Sequence, residues 1–374
     1  MSDYDPTTPN QGPPVGQGSP VPPSRPPVPA PPPYARAERP RRGSFWRRVL
    51  LALGVLVFVS SLMLNLGLMV ALASLAVTGM ETAVVRPGEA NQVVAVYEAV
   101  GMLDGEQAHA AEMFCRAVRH DKNVRAVVLR VDSPGGGISA CDQIYEAVKG
   151  LREDGKKTLV VSMGGVAASG GYYISAPAQT IFAEPTTVTG SIGVLASWPV
   201  LKGTLDKLGI KWMVVRSSPA KAWKAAPNVF EEPADYQVAE LQGILDDLHA
   251  RFEGIVRKER GSRLKAKPRP RRKYKDASGA EFTVDEVEPF NGRVFLADRA
   301  LELGLVDKVG YLKDAIDEAE QLARLSRPKV VVYSRRKGLF EKIGFGQPAG
   351  LSINPDILDQ AQTPRLLMVW KVGQ

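Results

Sequence analysis

Hydrophobic and polar positions divide this chain into three regimes. Residues up to about 42 hold few apolar side chains and much proline, with Pro31-Pro32-Pro33 as the densest run. Such a stretch cannot bury enough surface to offset its conformational entropy, so residues 1–44 are expected to form a disordered arm. From Val49 to Met80 no residue is charged, and Asn65 is the only strongly polar side chain. That run exceeds the roughly 20 residues a bilayer core requires, which predicts one transmembrane anchor over 45–80. Beyond it, short β-like runs alternate with amphipathic stretches, the mark of an α/β domain with a mainly parallel sheet.

Within that third regime the pattern predicts specific elements. Val93–Val96, Ala126–Val131, Thr158–Ser162, Thr180–Phe182 and Trp212–Val215 read as strands. Ala108–His120 reads as a helix with Ala111, Phe114 and Val118 on one face, and Cys141–Leu151 as a second. A further helix should open at Gly170. The stretch Lys265–Lys275, dense in Lys and Arg and broken by Pro268 and Pro270, reads as an exposed insertion within 262–280. A catalytic domain is thus expected over 88–330, and residues 331–374 as a C-terminal extension.

Charge refines this picture. The formal net charge is +8, but the excess is concentrated in Arg36–Arg48 and Lys265–Lys275, which argues against a nucleic-acid-binding face. Six arginines, Arg36 to Arg48, precede the apolar run, while Glu81 and then Arg86 follow it. The asymmetry predicts a single-pass protein of the cell membrane, with a cytoplasmic N-terminus and an extracytoplasmic domain. Ala71-Leu72-Ala73 supplies the small residues of a cleavable signal peptide, but the long leader and long apolar run favour an uncleaved anchor. Cys115 and Cys141 are too few for a disulfide framework, and neither they nor His109, His120 and His249 have zinc-site spacing. Both thiols are expected to be buried and structural. No metal and no cofactor is called for.

Two glycine-rich segments carry the candidate chemistry. Asp132-Ser133-Pro134-Gly135-Gly136-Gly137 follows an apolar strand, and three glycines there let backbone N–H groups face a cleft. Such donors can stabilise an oxyanion. The phosphate-binding alternative lacks its Gly-Lys-Ser/Thr sequel, while a purely structural turn stays open. Met163 to Tyr173 reads as a second glycine-rich turn, holding Ser169 between Ala168 and Gly170. Ser169 is either a nucleophile at a helix N-terminus or merely that helix's cap. A nucleophilic serine needs a base, and no histidine sits in a motif. Lysine can serve when desolvation leaves it neutral, and Lys224 is flanked by Trp223, Ala225, Ala226 and Pro227.

Taken together these motifs resemble the type A signal peptide peptidases, serine–lysine peptidases with the Clp-protease/crotonase fold of stacked βαβ units. The resemblance runs from about Val93 to Ala315. It rests on Asp132–Gly137, Ala168–Tyr173, Thr189-Gly190-Ser191-Ile192-Gly193-Val194, Gly292-Arg293-Val294-Phe295 and Ala300–Asp307, in that order. It implies Ser169 as nucleophile and a lysine as general base, with Gly136 and Gly170 as the candidate oxyanion donors. The lysine motif departs from the family's: its glycine is missing, and Ser217-Ser218-Pro219-Ala220-Lys221 stands in its place. Trp223-Lys224-Ala225-Ala226 better fits the aromatic–Lys pattern, so Lys224 is preferred to Lys221. The resemblance further implies signal peptides and other extended apolar peptides as substrates. It also implies a homo-oligomeric ring whose sites join neighbouring subunits. A crotonase-like acyl-thioester enzyme and a non-catalytic membrane scaffold are the rival readings.

Overall fold

The computed structural model describes residues 43–75, 80–224, 227–276, 278–335 and 365–369. The proline-rich arm, residues 1–42, lies outside them, as does most of the expected extension, residues 336–364 and 370–374. The chain divides into two units, Met1–Leu68 and Met69–Gln374. Helix α1 spans Gly43–Leu75 and begins in the first unit. Its segment Phe45–Val70 is long and apolar enough to cross a membrane and has no buried residue.

The second unit is built on a nine-stranded sheet. In chain order the elements are β1 (Met80–Arg86), β2 (Glu89–Val100), α2 (Gly105–Arg119), β3 (Val124–Ser133), β4 (Gly135–Gly137), α3 (Ile138–Glu153), β5 (Thr158–Ala168), α4 (Gly170–Ser175), β6 (Thr180–Ala183), β7 (Val188–Gly190) and β8 (Leu195–Ser197). There follow α5 (Lys202–Lys207), α6 (Asp235–Arg260), β9 (Lys267–Pro268), β10 (Arg272–Lys275), β11 (Glu281–Val284), β12 (Val287–Glu288), β13 (Val294–Leu296), α7 (Ala297–Glu302), β14 (Lys308–Val309), α8 (Leu312–Leu322), β15 (Pro328–Arg335) and β16 (Arg365–Val369). The sheet order is β1-β15-β2-β3-β5-β6-β14, with β7 joined to β5 and β13 to β7. Every neighbour from β15 to β14 is parallel; β1 is antiparallel to β15. The expected mainly parallel α/β architecture is what forms.

Period-two alternation explains how the sheet is buried on both faces. Val93, Ala95, Tyr97 and Ala99 of β2 join Val127, Leu129 and Val131 of β3 in the larger core, beneath α2 and α3. Val94, Val96, Ala126, Val128 and Val160 point the other way, onto Ala315 and Ala319 of α8. The α2 face predicted from sequence is the buried one, and the helix starts three residues earlier than expected because Asp104 caps it, accepting from Glu106 N and Gln107 N at 3.0 Å. Behind α6, the Arg260 guanidinium is fully buried and clasps Asp307 at 2.6 Å and 3.0 Å.

Three expectations need correction. Trp212–Val215 is not a strand: Met213 and Val215 are 84% and 91% exposed, and the segment joins no strand among the described residues. Its alternating pattern reports an apolar surface instead of a sheet position. β10, within the basic insertion, pairs with β11 just beyond it in an exposed hairpin, where an exposed insertion outside the fold's elements was expected. Tyr274 stacks on Phe282 across it at 5.7 Å, and Asp276 closes its turn by accepting the Ser278 and Ala280 N–H groups. Finally, the sheet takes in β1 and β15, so it reaches past the limits of 88 and 330 expected for the domain.

Candidate active site

The strand β5 does not stop at Ser162. It continues through Gly164-Gly165 to Ala168, because its second half acquires a new partner: Val166, Ala167 and Ala168 pair with Val188, Thr189 and Gly190 of β7. The expected glycine-rich turn is therefore mostly strand, and the actual turn is Ser169 itself. Its backbone sits at φ 52°, ψ −114°, a region L-residues rarely adopt. Such a conformation costs about 1–3 kcal/mol and persists only where the surroundings impose it. Here Ser169 N donates to Gly190 O at 2.8 Å, and α4 begins at the next residue.

Ser169 occupies the N-cap position of α4 yet makes no capping hydrogen bond with its side chain. Its Oγ instead makes a long 3.4 Å contact to Gly193 O, and the residue is 1% exposed. Of the two roles open in the sequence, the capping role is the one this geometry does not use.

The first glycine segment is also not a turn. Gly135–Gly137 form β4, paired with β16 on one side and bridged to Leu103 on the other. Gly135 O accepts from Leu103 N, and Gly137 N donates to Leu103 O, both at 2.9 Å. Since successive peptide groups face opposite ways along a strand, Gly136 presents its N–H away from Leu103, toward Met368 of β16. Glycine is required sterically here. A Cβ on Gly136 would lie 1.9 Å from Leu103 O, and one on Gly135, at φ +107°, would lie 2.8 Å from Gly170 N. Gly170, the residue after Ser169, thus lies in close backbone contact with Gly135 of β4.

Residues that the sequence reading passed over hold this contact. Asp132 accepts the Val166 N–H at 3.0 Å, tying β3 to β5 at the register shift between Val131 and Ser133. Ser133 Oγ accepts the Gly135 N–H at 3.0 Å. Cys141 packs against the Ser169 turn, its Sγ 2.4 Å from where a Gly170 Cβ would stand. A carboxylate or hydroxyl just before a glycine run was the available signal for the first two. Both cysteines are buried and unpaired, as expected, and burial pushes each thiol up to about 12.

Lys224 is not enclosed. It and Lys221 are exposed, and neither amine has a hydrogen bond or ion pair among the described residues. Trp223 turns instead onto Tyr236, at 5.2 Å between ring centroids, and remains 50% exposed. A buried lysine does exist: burial lowers the pKa of Lys157, whose amine donates to Asp121 O and Val124 O at 2.7 Å. It precedes the first residue of the 11-residue β5, at the opposite end from Ser169. His109 and His120 are exposed, so neither is an enclosed base.

Comparison with known proteins identifies the family. The model of peptidase family S49 matches residues 151–326. A Synechocystis chain with a protease designation is 34% identical over 211 residues, covering 56% of this chain and 67% of its own length. An Enterococcus faecium chain designated a signal peptide peptidase is 32% identical, covering 58% and 57%. Protease 4 of Haemophilus influenzae is 31% identical, covering 62% of this chain but 35% of its own length. With the strand-borne serine, the abutting glycine strand and these relatives in view, the chain belongs to peptidase family S49, a serine peptidase family of Clp-protease/crotonase-like fold.

Proposed function

We propose that the chain is a membrane-anchored serine endopeptidase acting on extended apolar peptides, signal peptides among them. The observation that carries this reading is the strained Ser169, buried, excused from capping, and followed by Gly170, which lies against Gly135 of the glycine strand β4. In the proposed reaction Lys224, neutral, takes the Ser169 proton as the serine oxygen attacks a peptide carbonyl. The N–H groups of Gly136 and Gly170 hold the oxyanion; collapse expels the amine leaving group, which takes up the proton from the lysine. Water, activated by the same lysine, then releases the acyl group.

The exposure of Lys224 supports a site completed between subunits. Leu208, Ile210, Trp212, Met213 and Val215 form an exposed apolar run in the same segment, and such runs are surfaces that a partner covers. A second copy in a closed ring would desolvate Lys224 and bring it to its neighbour's Ser169. The arginines concentrated before and at the start of α1, and their scarcity after it, support a cytoplasmic N-terminus and an extracytoplasmic peptidase unit.

A fluorophosphonate probe tests the reading directly. Purified protein should label at Ser169 in the assembled form and not as Ser169→Ala. An assembled, folded protein that resists the probe would remove the nucleophile from the proposal.

A further inference from the structure

From Arg263 to Lys275 the chain carries eight cationic side chains and no acidic one. The fold gives most of them a fixed mount. β10 and β11 pair only with each other, in a two-stranded sheet of their own. Arg271 clasps Asp285 at the open end of this hairpin, at 2.6 Å and 3.0 Å, and the Arg293 guanidinium donates to Tyr274 Oη at 3.2 Å, tying the hairpin to the residue before β13. Alternate side chains of a strand leave on opposite faces. Lys273 and Lys275 therefore share one face with Thr283 and Glu281, while Arg272 and Tyr274 share the other with Val284 and Phe282.

The acids nearby do not cancel this charge. Arg263 is matched by Asp307, Arg269 by Glu288 and Arg271 by Asp285. Lys273 and Lys275 divide one carboxylate, Glu281, at 3.3 Å and 3.8 Å. Lys265, Lys267 and Arg272 are exposed and have no ion pair among the described residues. Beside these cations Phe282 and Val284 stay 47% and 44% exposed. The patch is thus cationic and apolar at once, which selects among anionic partners. A soluble polyanion satisfies the charges but leaves both apolar side chains in water. The boundary between headgroups and acyl chains takes both, phosphates on the cations and hydrocarbon on Phe282 and Val284.

We infer that the β10–β11 hairpin, with Lys265 and Lys267 at its root, is a second membrane contact that takes anionic phospholipid headgroups. The inference rests on the reading of α1 as a membrane anchor. Only residues 76–79 separate α1 from β1, so an inserted α1 holds the second unit beside a bilayer and raises the lipid concentration the hairpin meets. A few cations bind free vesicles weakly, but a hairpin already held at the surface needs only a small bias to stay seated. Each lysine or arginine at an anionic surface contributes about fivefold to that equilibrium.

The test uses full-length protein with Thr283→Cys, labelled with an environment-sensitive nitrobenzoxadiazole and inserted through α1 into lipid nanodiscs; the two native thiols are buried. Discs of phosphatidylcholine are compared with discs in which about one-third of the lipid is phosphatidylglycerol, enough for a negative surface potential. In the anionic discs the probe should shift to the blue and be quenched by a nitroxide on the acyl chains; in the neutral discs it should report water. Lys265→Gln, Lys267→Gln and Arg272→Gln together should remove about a hundredfold, so a hairpin seated nine-tenths of the time falls to about one-tenth. Salt at about 0.5 M should release it as well. A probe that reports water in both discs, or a response that the triple exchange leaves unchanged, overturns the inference. So does a response to soluble polyglutamate and none to lipid, which would make the patch a site for an acidic protein. Flotation with phosphatidylcholine vesicles separates the two readings. A chain that floats with them while its hairpin stays in water keeps the anchor and loses this contact. One that floats only with anionic vesicles, and is released by salt, keeps the contact and loses the anchor.

Discussion

Asp132 and Val166 join the two strands that carry the site: the Asp132 carboxylate accepts the Val166 backbone N–H at 3.0 Å, where the β3–β5 register shifts. Val166 has no register partner in β3, and the Asp132 side chain makes the link there instead. Asp132→Ala should therefore cost about 1–3 kcal/mol of stability. Turnover should fall further than stability alone predicts, by about 10–100-fold in kcat, because the strand end bearing Ser169 shifts. Thermal melts and steady-state kinetics on the same sample separate the two. A stability loss with kcat intact would make the contact purely structural.

Ser169→Ala and Ser169→Gly should both be inactive, since neither has a nucleophile. Their stabilities should differ. Alanine keeps the unfavourable φ of 52°, whereas glycine adopts it freely, so the Gly variant should be more stable by about 1 kcal/mol. Denaturant midpoints of the two variants settle the sign, and a less stable Gly variant would mean the turn is not strained.

The Arg260–Asp307 clasp predicts a large asymmetry. Asp307 also accepts the Ile181 N–H at 2.8 Å, and Arg260 further donates to Gly304 O at 2.9 Å. Asp307→Ala strands a buried guanidinium and should cost about 3–5 kcal/mol. Arg260→Met with Asp307→Leu should cost clearly less, because no charge is left unpaired. A double variant worse than Asp307→Ala would contradict this account.

Burial raises both thiols from about 9 to about 12, so the neutral form is the one the fold holds. At pH 8 only about one molecule in ten thousand carries a thiolate at either site. Iodoacetamide should leave Cys115 and Cys141 unmodified in the native protein and modify both after denaturation. The linkage runs the same way: a pKa raised on folding gives stability that is fully present below pH 9 and lost as pH climbs toward 12. Unfolding midpoints should accordingly decline across that window, and a flat profile would place the thiols in water.

Complementation tests the shared site. If Ser169 and Lys224 meet across a subunit interface, mixing inactive Ser169→Ala with inactive Lys224→Ala chains should restore part of the activity. Some interfaces would then join an intact serine to an intact lysine. Demonstrably mixed oligomers with no recovered activity would put both residues in one chain.

Local patterns in the sequence carried much of this protein. The uncharged run became one apolar helix, period-two alternation located β2, β3 and β5, and the 3.6-residue period set the buried face of α2. Those signals are legible because each depends only on neighbours along the chain. Ser169 and the β4 glycines were legible as well, since small residues flanking a serine mark close backbone approach. What the tertiary structure alone decided was pairing. It made Gly135–Gly137 and Gly164–Ala168 strands rather than turns, because Leu103, β7 and β16 lie alongside them. It left Trp212–Val215 outside any strand pairing among the described residues despite its strand-like pattern, and Lys224 exposed despite its apolar flanks. A strand exists only where a second backbone takes up its hydrogen bonds, and a lysine is desolvated only where other surface covers it. Both conditions are met, or not, by residues far away in sequence.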